Sequence, residues 1–97
     1  MKGQIFYSVW DAIEDTPQQA ANLQARSALM MELEKVIQQQ GLSQSEAARR
    51  FGVTQPRIAE LLQGKIHRFS LEALMDMAAT GGLFLRMVVD SSNRQAA

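Results

Sequence analysis

The 97-residue chain has no cysteine, which excludes disulfide scaffolds, thiolate zinc centres and cysteine nucleophiles. Its single histidine, His67, has no second imidazole or thiol to join it, so a metal site of three or four ligands is not expected. No run approaches the roughly 18 apolar residues that cross a bilayer. The opening "MKGQIFYSVWDAIEDTP" has only a short apolar run soon broken by acids, unlike a signal peptide. A cytoplasmic protein without a membrane partner is the expectation. Aromatic residues make up 6% of the chain, too few among the basic residues for a base-stacking platform. Tyr7 and Trp10 read instead as an N-terminal packing staple. Ser43, Ser45 and Thr54 have no base placed to activate them, and Glu32 and Glu34 fall on different faces of a helix. With no catalytic constellation, the chain is not expected to be an enzyme or to carry a cofactor.

What is present suits one folded domain spanning residues 1–97, with 46% hydrophobic residues and neither repeats nor low-complexity segments. Residues 1–15 read as an arm, with a short extended piece at Gln4–Tyr7 and a brief helix from Ser8 to about Asp15. Thr16, Pro17 and Gln19 then form a strong helix start: a hydroxyl cap, a proline in the first turn and a glutamine that can close a capping box. That helix should run to about Gln40 and stop at Gly41. Leu29, Leu33, Val36 and Ile37 give it one apolar face, widened by Met30 and Met31. "SQSE" at Ser43–Glu46 is a second capping box, for a helix ending at Gly52, and Thr54 caps a third that closes at Gly64. After "KIHRF", Ser70 caps a last helix to Thr80, completing a helical bundle over 16–80 that "TGG" breaks. "LFLRMVV" at 83–89 reads as a strand, with Leu83, Leu85, Met87 and Val89 on one face. Residues 90–97 read as a frayed tail.

The formal charge of zero conceals an uneven distribution. Residues 1–41 have a balance of −2 and residues 70–97 a balance of −1, whereas 42–69 set five cations (Arg49, Arg50, Arg57, Lys65, Arg68) against Glu46 and Glu60, a balance of +3. Such asymmetry points to an anionic partner for the middle of the chain. Two short helices around a glycine turn, at 43–64, carry the helix-turn-helix signature. Ala47 is small enough for close approach, Val53 fills the turn, and Ile58, Leu61 and Leu62 bury the second helix. On that helix Gln55, Pro56, Arg57 and Glu60 are the base-facing candidates: glutamine pairs with adenine, arginine with guanine, glutamate accepts from cytosine, and proline can touch a thymine methyl. Gln44, Thr54, Lys65, His67 and Arg68 are the phosphate-facing candidates. Arg49 and Arg50 are adjacent and cannot both face one groove, so at least one is expected in solvent or paired with Glu46.

The lone strand at 83–89 needs a mate. Pairing with its copy in a homodimer would satisfy its backbone and place Leu83, Phe84, Leu85, Met87 and Val89 at the interface; Gln4–Tyr7 is the alternative partner.

"LSQSEAARRFGVTQPRIAELLQGK" resembles the helix-turn-helix of the Xre superfamily, the phage-repressor-like and Cro-like domains, in its Q-x-x-A-A run, G-V-T-Q turn, I-x-x-L and terminal G-K. From Ser8 to Val89 the chain is similar to the HigA-like antitoxins of type II toxin–antitoxin modules. The elements above make a mainly α, five-helix domain with one C-terminal β-strand, phage-repressor-like by this resemblance. The resemblance implies a dimeric repressor of its own operon that binds a palindromic double-stranded operator. It also implies a small basic RelE-like, messenger-cleaving toxin as a partner. In such domains the positions matching Gln44, Thr54, Gln55, Arg57 and Lys65 contact DNA. The Gly81-Gly82 pair departs from the pattern and is expected to loosen the junction after the last helix. A stand-alone regulator without a toxin, and a helix-turn-helix interaction module that binds no DNA, are the competing readings.

Overall fold

A computed structural model describes residues 16–90 of the chain. Four α-helices follow in order: α1 Pro17–Gln39, α2 Gln44–Phe51, α3 Gln55–Leu62 and α4 Leu71–Thr80, with a 3-10 turn at Ile66–Arg68 between the last two.

Each helix begins at a hydroxyl cap that the sequence marks. Thr16, Ser43, Thr54 and Ser70 accept hydrogen bonds from the amides of Gln19, Glu46, Arg57 and Ala73 respectively. At Ser43 the box is reciprocal, because the Glu46 carboxylate also accepts from the Ser43 amide at 2.8 Å. Each helix also ends in the same way. The amides of Leu42, Val53, Lys65 and Leu83 turn back to carbonyls five residues earlier, on Ile37, Ala48, Glu60 and Ala78. Gly52 shows why the second of these ends requires glycine. Its φ of 73° lies in the left-handed region, where a Cβ is strained.

The helices enclose one core. Leu33, Ala47, Phe51, Ile58, Leu61, Phe69, Leu74 and Ala78 are all buried in it. α1 packs across α4, α3 and the 3-10 turn, while α2 packs on α3 and α4. The expected face of α1 is present, with Met30, Leu33 and Ile37 buried and Leu29 and Val36 partly so. Met31 does not widen it: the next helical position along from Met30 points away from the core and is 63% exposed. Leu62 and Val53 line the core rather than filling it.

One expectation of the fold changes, and another falls outside the described residues. The helix expected at 8–15 lies outside the described residues, as does the Gln4–Tyr7 segment, and the described fold has four helices where five were expected. The segment 83–89 forms no strand among the described residues. A strand exists through its ladder, and within 16–90 no second extended segment pairs with it. Leu83 is half-buried against the core and helps to close α4, whereas Phe84, Met87, Val88 and Val89 stand in solvent, Phe84 at 97% exposure.

Of the two glycines after α4, Gly81 makes the junction tight, whereas Gly82 stands in open space. Gly81 is buried, and a Cβ placed on it would lie 2.4 Å from Cε1 of Phe51. The carbonyl of Gly81 accepts from Nε of Arg50 at 3.0 Å. Absence of a side chain therefore lets the end of α4 lie directly on the Phe51 ring. Gly81→Ala should destabilise the domain by about 1–3 kcal/mol through overpacking, lowering its melting temperature by roughly 4–20 °C at the usual scaling for a domain of this size. Thermal unfolding followed by circular dichroism reads this directly. An unchanged midpoint would contradict the close packing.

Candidate nucleic-acid interface

α2 and α3 are joined through Gly52, Val53 and Thr54, and this short turn sets how α3 projects from the bundle. Ile58 and Leu61 bury one side of α3. Successive residues on a helix advance by about 100°, so Pro56 and Gln63 lie almost opposite that buried side, with Ala59 and Gln55 on one flank and Glu60 and Arg57 on the other. Gln55, Pro56 and Gln63 are exposed and Ala59 is half-buried. Thr54 is exposed as well, and its hydroxyl serves as the helix cap, accepting from the Arg57 amide at 3.4 Å. Gln44, the first residue of α2, is exposed beside the start of that helix.

Arg57 and Glu60 occupy a different edge of α3, turned toward the 3-10 turn. By the same spacing, Arg57 sits about 40° around the axis from buried Leu61. Its guanidinium carbon lies 4.3 Å from the centre of the Phe69 ring, and its Nη1 donates to Oε1 of Glu60 at 3.2 Å. The other Glu60 oxygen, Oε2, accepts from Nη1 of Arg68 at 3.1 Å. Among the base-facing candidates, Gln55 and Pro56 therefore share the open surface, while Arg57 and Glu60 are tied into a side network. Among the phosphate-facing candidates, Lys65, His67 and Arg68 come together as exposed residues in and beside the 3-10 turn.

The adjacent arginines of α2 separate as helical geometry requires. Arg49 is exposed. Arg50 is half-buried and structural: besides its bond to Gly81, it donates to Oε1 of Gln40 at the end of α1. Neither salt bridges to Glu46 among the ion pairs of the described residues, and the Glu46 carboxylate bonds the Ser43 amide.

Two supporting residues were missed in the sequence. Arg26, on α1, donates from Nη1 to the carbonyls of Ile66 at 3.1 Å and Phe69 at 3.3 Å, with Nε held by Oδ1 of Asn22 at 2.7 Å. These bonds satisfy carbonyls at both ends of the 3-10 turn and fix the segment that carries Lys65, His67 and Arg68. The second is Phe69, a buried ring that forms the floor under Arg57. Nothing in the spacing of Arg26 relative to residues 40 or more positions later signals such contacts. The "RF" at 68–69 offers only a basic residue beside an aromatic one.

A sequence profile described as a helix-turn-helix domain matches residues 12–90. A solved structure of an XRE-family transcriptional regulator is similar to this chain with a TM-score of 0.70 and 32% identity, covering 80% of this chain and 88% of that one. This chain belongs to the XRE-like helix-turn-helix family. No curated protein matches it at comparable significance. Family membership supports a DNA-binding transcriptional regulator, and α2–α3 is the helix-turn-helix unit of its fold. Among the described residues, no helix is long and apolar enough to cross a membrane.

Proposed function

We propose that this XRE-like protein is a sequence-specific repressor that binds a palindromic operator as a homodimer and serves as the antitoxin of a type II toxin–antitoxin module. The observation that carries the DNA reading is the juxtaposition at α3. Exposed Gln55 and Pro56, with half-buried Arg57 at their edge, stand beside a 3-10 turn flanked or formed by Lys65, His67 and Arg68. Side chains on the first turn of a recognition helix reach base edges, and a neighbouring basic segment holds phosphates. The net balance of +3 over residues 42–69, in a chain of zero formal charge, supports the same reading against an interaction module that binds no DNA.

In this reading Gln55 and Arg57 read bases and Pro56 contacts a thymine methyl, while Gln44, Thr54, Lys65, His67 and Arg68 set the register on phosphates. These roles give different mutant behaviour. Arg57→Ala should cost about 1–3 kcal/mol per half-site and relax preference at one base position. Lys65→Ala should weaken selected and random duplexes alike and lower the salt slope by roughly one, since one phosphate fewer is neutralised. Titrations of both variants on both duplexes at several salt concentrations separate the two. Equal losses with unchanged base preference for Arg57→Ala would make Arg57 a phosphate ligand. Negligible binding of the wild type to any duplex at low salt would instead favour the interaction module.

The homodimer is supported by the apolar residues that follow Leu83. Phe84, Met87, Val88 and Val89 are all strongly exposed on a segment that forms neither helix nor strand within the described residues. Pairing with the same segment of a second copy would supply a ladder and cover Phe84, Leu85, Met87 and Val89. A dimer of this kind would present two recognition helices to half-sites about 34 Å apart, or a multiple of that distance. Met87→Pro removes one ladder donor and should shift the protein toward monomer in sedimentation at micromolar concentration. A fully dimeric variant would exclude strand pairing at this segment.

The antitoxin role rests on the resemblance of residues 8–89 to HigA-like proteins. The partner it implies is a small basic messenger-cleaving toxin, and a stand-alone XRE-like regulator is the alternative. Rescue of cells expressing a toxin encoded beside this chain's gene would support the role, and a gene without such a neighbour would favour the alternative.

A further inference from the structure

Glu60 is the one carboxylate among the described residues of α3, on the helix that the proposed function turns toward a polyanion. Alone, a negative charge there would repel the phosphate backbone. The structure surrounds it with compensation. One carboxylate oxygen accepts from Arg57 at 3.2 Å and the other from Arg68 at 3.1 Å, so a single side chain bridges the base-facing edge of α3 and the following turn. Its backbone carbonyl accepts from the Lys65 amide at 3.1 Å. The Glu60 side chain is only 23% exposed, against 35% for Arg57 and 61% for Arg68. Arg57 is further confined by the Phe69 ring on which it stacks.

Resting on the DNA reading above, we propose that Glu60 is a positioning residue for sequence discrimination: anchored to Arg68 by one oxygen, it holds Arg57 in one orientation for base reading and withholds Arg57 from indiscriminate phosphate contact. The physical reasoning has two parts. A long arginine has many rotamers, and fixing it before binding removes ordering entropy from the specific complex. A free arginine beside DNA gains a phosphate wherever it lands, which raises affinity for every sequence alike. A bridging carboxylate opposes the second effect and supports the first. Each Glu60 oxygen already accepts from an arginine, which directs the carboxylate toward Arg57 and Arg68.

The test uses the full chain, a randomised duplex pool of about 30 base pairs, long enough for two half-sites a helical turn apart, and the duplex that the wild type enriches from that pool. Glu60→Gln keeps the size of the side chain and removes its charge. It should raise affinity for the random pool several-fold and steepen the salt slope by roughly one, as Arg57 gains a phosphate. Preference for the enriched duplex over the pool should fall about tenfold, the order of one bidentate base contact. In an Arg57→Ala background the same substitution should leave that preference unchanged within about twofold, because Glu60 acts through Arg57. If Glu60→Gln melts early, Glu60→Asp retains the charge but shortens the bridge, and should lose preference without gaining affinity for the pool. Unchanged preference in the substituted protein overturns the proposal. So does an equal loss of preference with and without Arg57, which would make Glu60 itself a base reader. A wild type that enriches no sequence overturns the DNA reading, and this proposal with it, whereas enrichment by the wild type with an indifferent Glu60 variant overturns this proposal alone.

Discussion

The placement of α3 depends on the contact between the Phe51 ring and Gly81. Phe51 ends α2, one residue before the turn that aims α3, and its ring is buried against the backbone just beyond α4. Because interiors are close-packed, that ring cannot be displaced without moving either the end of α4 or the turn at Gly52. Arg50 reinforces the position by joining α2 to the Gly81 carbonyl and to Gln40. Through these contacts the end of α1, the end of α4 and the start of the α2–α3 turn become one rigid corner. Everything that α3 offers to solvent is aimed from there.

The other end of α3 is fixed by a second set of groups. Arg26 reaches from α1 to the carbonyls of Ile66 and Phe69, and Phe69 in turn supports Arg57. A buried or half-buried carbonyl without a partner is costly, so the Arg26 bonds help to determine where the basic turn sits as well as satisfying it. α1 is thereby more than a hydrophobic brace. Its buried stripe of Met30, Leu33 and Ile37 holds the bundle, and its polar Arg26 sets the 3-10 turn beside α3.

Local signals in the sequence were sufficient for the helices. The hydroxyl caps at Thr16, Ser43, Thr54 and Ser70 and the glycines at 41, 52 and 64 mark the starts and ends, because capping is chemistry between residues three to five positions apart. The same locality revealed Gln55, Pro56 and Thr54 at the head of α3. Contacts between distant residues were not legible. Arg57 stacked on Phe69, Glu60 shared between Arg57 and Arg68, and Arg26 bonded to residues 66 and 69 all depend on how the helices pack. The glycine pair at 81–82 was misread for the same reason: a missing side chain reads locally as freedom, whereas Phe51 uses the space beside Gly81 for close packing. At 83–89 the composition marked an extended apolar segment, but a ladder requires a second strand that one sequence cannot supply.

The central claim is that the face made by the head of α3, the head of α2 and the 3-10 turn is the DNA-binding surface. Mapping backbone amide shifts of the isotopically labelled chain, during titration with a short duplex at low salt, tests it most directly. The account predicts that the largest changes cluster at Gln44, at Thr54–Arg57 and at Gln63–Arg68, while Glu32, Lys35 and Gln38 on the outer side of α1 stay nearly fixed. Changes centred on that outer side of α1, with the α3 cluster unmoved, would contradict it.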